Sequence, residues 1–212
     1  SKEVKLDNYI EEKIISTLNS SGTSIYLNTQ YRGIGQKFDS NFTSEMIGIK
    51  SIKFINGING TPNDTTITVR DVTSNTNLYT MTINGGDFTK LTAKGNNTIR
   101  FPSIISIIPG HVIIIGIYTT ASYCTSNYFY FSKTNESVLE NSNHVTTTDS
   151  TWNSHTDDLT SDLLFELGCI YRKKSLLGIV EKNYSIDKFN NFGQIEFDKT
   201  GDVVCDVISN EI

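Results

Sequence analysis

Between residues 24 and 167, apolar side chains recur at every second position in short runs, with Gly, Asn, Asp and Pro between the runs. That period suits half-buried strands, whose successive side chains point to opposite faces. The runs predict strands over 24–27, 33–38, 46–55, 66–72, 78–83, 98–101, 104–108, 112–119, 128–132 and 162–167. Within 46–55 the alternation slips by one residue between Ile49 and Ile52, as a β-bulge would make it. Asn84-Gly85-Gly86-Asp87 is a tight-turn signal, and 56–64 is a loop rich in Gly, Asn and Pro. Many short strands at this spacing predict a mainly β fold, an antiparallel β-sandwich rather than βαβ units. The polar stretch 133–158 reads as a region between strands.

One segment follows another period. Leu6, Ile10, Ile14 and Leu18 recur every four residues with Glu11, Glu12 and Lys13 between them, which predicts a short N-terminal α-helix over 3–18. Ser20-Ser21-Gly22 ends it. A helix of about four turns is not stable alone in water, so the stripe needs a partner. These four residues are therefore the candidate oligomerisation surface. The expected organisation is an N-terminal helix in 1–22 for oligomerisation or attachment, a β-sandwich in 23–170 and a strand-rich C-terminal extension in 171–212. The extension follows Arg172-Lys173-Lys174 and carries strand candidates at 176–180, 194–197 and 202–208.

Composition narrows the partners. Charged residues are 19% of the chain and hydrophobic ones 37%, with Thr, Ser and Asn filling the difference. A net charge of -5 argues against nucleic acid, whose phosphates need a basic face. The most apolar stretch, 104–117, is interrupted by Pro109-Gly110-His111 and is too short to span a bilayer, so no membrane insertion is expected. Cys124, Cys169 and Cys205 form no CxxC pair and read as three unpaired buried thiols rather than a disulfide framework or zinc site. No signal peptide opens the chain, and Ser1 in place of Met reads as a processed or trimmed start.

The chemistry-bearing residues point away from catalysis. No GxSxG, HExxH, P-loop or GxGxxG motif occurs, and Gly33-Ile34-Gly35 does not open a helix. His144, His155, Asp149, Asp157 and Asp158 share one polar stretch, but their spacing matches no recognised ligand set; no metal and no cofactor is expected. Binding chemistry is better represented. A sugar packs its C–H face on an aromatic ring while its hydroxyls take polar partners. The candidate ligand-binding residues are Trp152, Tyr123, Tyr128 and Tyr130, with His155 and Asp157 as rim groups. Tyr128 and Tyr130 alternate with Phe129 and Phe131, which puts one pair outward on a half-exposed strand. The competing reading makes Trp152 a core anchor and the tyrosines a cover for an edge or subunit contact.

The order of features in 30–168 resembles a jelly-roll module found in bacterial surface proteins and phage appendages, itself similar to carbohydrate-binding sandwiches. Carrying the resemblance are Gly35-Gln36-Lys37-Phe38, the 49–55 and 66–71 strands, Ile108-Pro109-Gly110-His111-Val112-Ile113, and Trp152 followed by Leu164-Phe165-Glu166-Leu167. Such modules often read x-Pro-Gly-x-x-Tyr, and here Ile113 stands at the aromatic position. A short helix before a sandwich is similar to the layout of phage tail and head fibres. The resemblance implies a non-enzymatic virion structural or adhesion protein: a homotrimer that contacts other virion proteins and a host-surface glycan. The alternative it implies is a carbohydrate-binding accessory module of a secreted bacterial protein. Either places the chain on a virion or outside the cell.

Overall fold

The computed structural model describes residues 9–20, 22–27, 32–60, 64–83, 95–119 and 128–173, and Ile10–Arg172 make one compact unit. Twelve strands run in chain order: β1 (Tyr9–Ser16), β2 (Gly22–Tyr26), β3 (Gly33–Phe38), β4 (Met46–Asn59), β5 (Thr65–Asp71) and β6 (Thr76–Ile83). They continue as β7 (Gly95–Ser106), β8 (Ile113–Tyr118), β9 (Tyr128–Thr134), β10 (Ser142–Thr147), β11 (Thr156–Asp158) and β12 (Phe165–Lys173). The fold is mainly β, in two antiparallel sheets. One has the order β11-β10-β3-β8-β5-β6. The other runs β1-β12-β4-β9-β2, with β7 also paired to β4.

β4 organises the second sheet. Its first part pairs with β12 (Phe54 opposite Phe165) and its last residues pair with β9 (Asn56 opposite Phe131). β7 runs along the other edge from Gly48 to Asn56. β12 and β9 thus lie end to end along one edge of β4, joined where Leu164 N–H donates to Ser132 O at 2.7 Å. The slip expected near Ile49 is present: against β12 the register shifts between Ser51, opposite Gly168, and Ile49, opposite Cys169, leaving Lys50 as the extra residue. β7 continues as one strand through Pro102, where two shorter strands are expected, but its register with β4 is interrupted there. Residues 101–104 stand opposite Lys50 alone, so the N–H that Pro102 lacks is not needed for the pairing.

Inward side chains of both sheets share one core. Ile34, Phe38, Ile67, Val69, Ile113, Ile115 and Ile117 come from one sheet, and Met46, Ile49, Ile52, Phe54, Phe129, Phe131, Phe165 and Leu167 from the other. Phe38 meets Phe165 edge-on at 5.7 Å across the two sheets. Set among these is a buried polar clamp. Gln36 Nε2 donates to Asp162 Oδ1 at 2.6 Å, and Leu163 N–H donates to Gln36 Oε1 at 2.8 Å. Asp162 also accepts from Ser142 Oγ and from the Val138 and Leu139 amides, so its charge is enclosed by donors.

Two expectations are corrected. Residues 9–16, placed in a helix over 3–18, form strand β1 beside β12; residues 3–8 lie outside the described residues. A four-residue spacing is also an even one, so Ile10 and Ile14 share a face of a strand as readily as of a helix. What decides is the other face. Ile15 packs on the core, Thr17 N–H donates to Phe165 O at 2.9 Å, and the Thr17 hydroxyl donates to Leu163 O at 2.7 Å. The polar region 133–158 contains β10 and β11, and all six residues of β10 are buried although only Val145 is apolar. The strand candidates at 176–180, 194–197 and 202–208 lie outside the described residues.

A second, smaller core covers the outer face of the β3–β8 sheet, where Trp152 packs with Ile114, Tyr118 and Val145. Two glycines make room for the indole. A Cβ on Gly116 would lie 2.3 Å from Cη2 and Cζ2 of Trp152, and one on Gly33 would lie 3.1 Å from Cη2. Trp152 adopts φ 61°, and the Asp149 carboxylate holds the loop by accepting from the Thr151, Asn153 and Ser154 amides. Arg70 fastens the loop from below by donating to Asn153, and binds Asn75 and Asn77 as well. Trp152→Ala is expected to cost about 3–5 kcal/mol. Gly116→Ala, which forces a methyl into the indole, should cost about 1–3 kcal/mol. Urea unfolding measures both, and losses below half a kcal/mol would show that the loop is not a packed element.

Candidate functional site

Long-range pairing assembles three tyrosines on the outer face of the β4 sheet. Along β9, Phe129 and Phe131 enter the core, which turns Tyr128 and Tyr130 outward. β2 pairs with β9 so that Tyr26 stands directly opposite Tyr130. Residues opposite each other on neighbouring strands share a face. The Tyr26 and Tyr128 rings meet edge-on at 5.3 Å, with Tyr26 to Tyr130 at 6.2 Å and Tyr128 to Tyr130 at 6.5 Å. Tyr26 is 44% exposed and its two neighbours are partly buried.

Gly57 of β4, opposite Tyr130 on its other side, explains how the Tyr130 ring lies down against the sheet. A Cβ there would fall 2.3 Å from the Tyr130 Oη and 2.4 Å from its Cζ, so the phenol crosses the sheet over bare backbone. Burial raises the Tyr130 pKa above its usual value, with the neighbouring Tyr128 and Tyr26 adding to the effect, so the phenol stays protonated. The cluster offers ring faces, ring edges and neutral hydroxyls.

The other predicted ligand residues lie elsewhere. Tyr123 is outside the described residues. Trp152 is fully enclosed, so its ring presents no face to a ligand in this conformation; the competing reading of it as a core anchor matches its place. The physical reason is the pair of glycines beneath it. His155 and Asp157 stay near the Trp152 loop, apart from the tyrosines, and are engaged locally. His155 Nδ1 lies 3.2 Å from Trp152 O, and Asp157 receives Lys37 Nζ at 2.6 Å. Tyr26, which belongs to the cluster, carries no local signal; only the β2–β9 register reveals it.

A charged joint sits at the β10 edge. Asp158 accepts from Lys133 Nζ at 2.9 Å and from Ser161 Oγ at 2.9 Å, and lies 3.3 Å from His144 Nδ1. Ser161 Oγ is 3.2 Å from that same ring nitrogen. A nucleophile relay needs the hydroxyl and the carboxylate on opposite nitrogens of the ring, so this trio orders a turn instead. Asp149 and Asp157 are committed to the loop and to Lys37, and no group of three metal-ligating side chains is found among the described residues. Burial pushes the Cys169 thiol up to about 11, which keeps it protonated and unreactive.

No protein-family model matches the sequence, and no curated protein matches it.

The buried imidazole gives the fold a pH signature. Burial, with Lys133 nearby, pushes the His144 pKa down to about 4 from 6.5. The unfolded chain therefore takes up a proton that the folded one refuses. The stabilisation is complete above pH 6.5 and is lost as pH falls from 6.5 towards 4, on the order of 3 kcal/mol in all. Thermal unfolding from pH 7.5 to 4 should show that decline, and His144→Gln should flatten it. An unchanged slope in the variant would locate the acid sensitivity elsewhere.

Proposed function

We propose that this chain is a non-enzymatic structural and adhesion module, a jelly-roll sandwich of the kind that builds virion fibres and appendages. The observation that carries the reading is strand order. Read as a jelly roll, β2-β9-β4-β7 in one sheet and β3-β8-β5-β6 in the other would supply its four-on-four order, with β1, β10, β11 and β12 as additions. Viral capsid and lectin domains share this architecture, and its use for binding and assembly fits the way the acidic and histidine side chains here are consumed by one another.

Self-assembly is supported by β1. Ile10 and Ile14 are 66% and 72% exposed on the outer side of the strand, large apolar groups that a partner would cover. Both belong to the four-residue stripe that the sequence offers for oligomerisation, and on β1 they share one face. Leu6 lies outside the described residues, and Leu18 sits partly buried in the turn after β1. A homotrimer with other virion proteins at its ends is the arrangement proposed. The tyrosine face favours a second reading, a monomeric carbohydrate-binding module of a secreted bacterial protein.

Light scattering over a range of concentrations separates the two. A stable species three times the 23.7 kDa chain mass, weakened by Ile10→Ser with Ile14→Ser, is the expected result. A monomer at every concentration would overturn the fibre reading and leave the binding-module reading standing.

A further inference from the structure

We infer that the face made by Tyr26, Tyr128 and Tyr130 binds a neutral pyranose, packing the sugar's C–H face against the rings. This rests on the reading of the chain as an adhesion module and names the ligand class of its exposed face. Three features select the class. The first is shape. The rings are tilted by 51–79° to one another within 5.3–6.5 Å, which forms a cup for a single ring rather than a flat platform for a crystalline chain. Tyr26 is the exposed lip, and Tyr130, lying over Gly57, is the floor.

The second feature is charge. Following β4 away from Gly57 on the same side, the lysines met are Lys53 and Lys50. Lys53 is neutralised by Glu166 at 3.4 Å and Lys50 by Glu12 at 2.6 Å. Among the described residues both β4 lysines on this face are thus matched by carboxylates, and the exposed Arg100 of β7 stands opposite Ser51, remote from Gly57. No cluster of cations at the tyrosines would therefore select a phosphate, a sulfate or an acidic peptide. The third is the pairing of apolar area with neutral hydroxyls. Phenol oxygens accompany every ring, and the exposed Asn59 stands opposite Tyr128 on β4. Rings beside neutral donors and acceptors match a polyol with an apolar face. Among pyranoses, glucose-like ones with all hydroxyls equatorial present that face unbroken.

Affinity electrophoresis of the full chain tests this, in native gels containing hydroxyethylcellulose, laminarin, xyloglucan or glycol chitin. Wild type should be retarded by at least one of these. Tyr26→Ala and Tyr128→Ala should weaken that binding tenfold or more, with melting temperature and solution mass unchanged. Tyr26→Phe should keep most of it. Gly57→Ala, which displaces the Tyr130 ring without removing it, should also weaken it. If wild type is retarded and the alanine variants equally so, the site assignment falls while the adhesion reading stands. If none of the four retards wild type, the sugar assignment falls. A change of oligomer mass in Tyr26→Ala would then identify the face as a contact between copies.

Discussion

The fold depends on the backbone of β4. A strand in the middle of a sheet must have its N–H and C=O groups met on both sides, and β4 is longer than any single neighbour that meets them. β7 takes one edge, while β12 and β9 divide the other. Because those two lie end to end, β1 and β2 each find a separate partner beyond them. The bulge at Lys50 against β12 keeps Ile49 and Ile52 both directed into the core despite their odd spacing. Both proposed surfaces are consequences of this arrangement. The tyrosines sit where β9 and β2 meet the end of β4, and the isoleucines sit on the strand held by β12.

Polar groups fix what the hydrophobic effect leaves loose. Burial of apolar area is non-directional, so a core of isoleucines and phenylalanines does not by itself choose one sheet register. Gln36 and Asp162 do, because each has several partners that must be aligned at once. A shift of β3 by one residue would leave a buried carboxylate short of donors. The Trp152 loop is a second such device. Its Asp149 carboxylate, the Arg70 contact and the space left by Gly116 and Gly33 all have to agree before the indole can be enclosed.

Much of this was legible in the sequence where side-chain period and burial coincide. The Ile-rich runs of β4, β5 and β8 alternate because one face meets the core, and even the slip near Lys50 is visible. Legibility fails where a pattern serves two structures or where burial is polar. Ile10 and Ile14 fit a helix and a strand equally, and the choice was made by Thr17 and Ile15 against β12, contacts about 150 residues apart along the chain. β10 reads as a loop because Ser, Asn, His and Thr seldom fill a buried strand; here β3 and β11 on its two sides meet its backbone. Trp152 resembled a ligand platform because its neighbours are polar, while the glycines that receive its ring lie on β3 and β8. Of the tyrosine cluster, the Tyr128 and Tyr130 pair was evident from alternation, but Tyr26 joins it only through register.

The proposed division of labour lies between two parts of one sheet: the Ile10 and Ile14 strand would join copies, and the tyrosine face would remain open for a ligand. Hydroxyl-radical footprinting of the native assembly, read residue by residue by mass spectrometry, tests it directly. The account expects low oxidation at Ile10 and Ile14, below what their exposure in a single chain would give, and high oxidation at Tyr26 and Tyr128. Protected tyrosines beside freely oxidised isoleucines would contradict it.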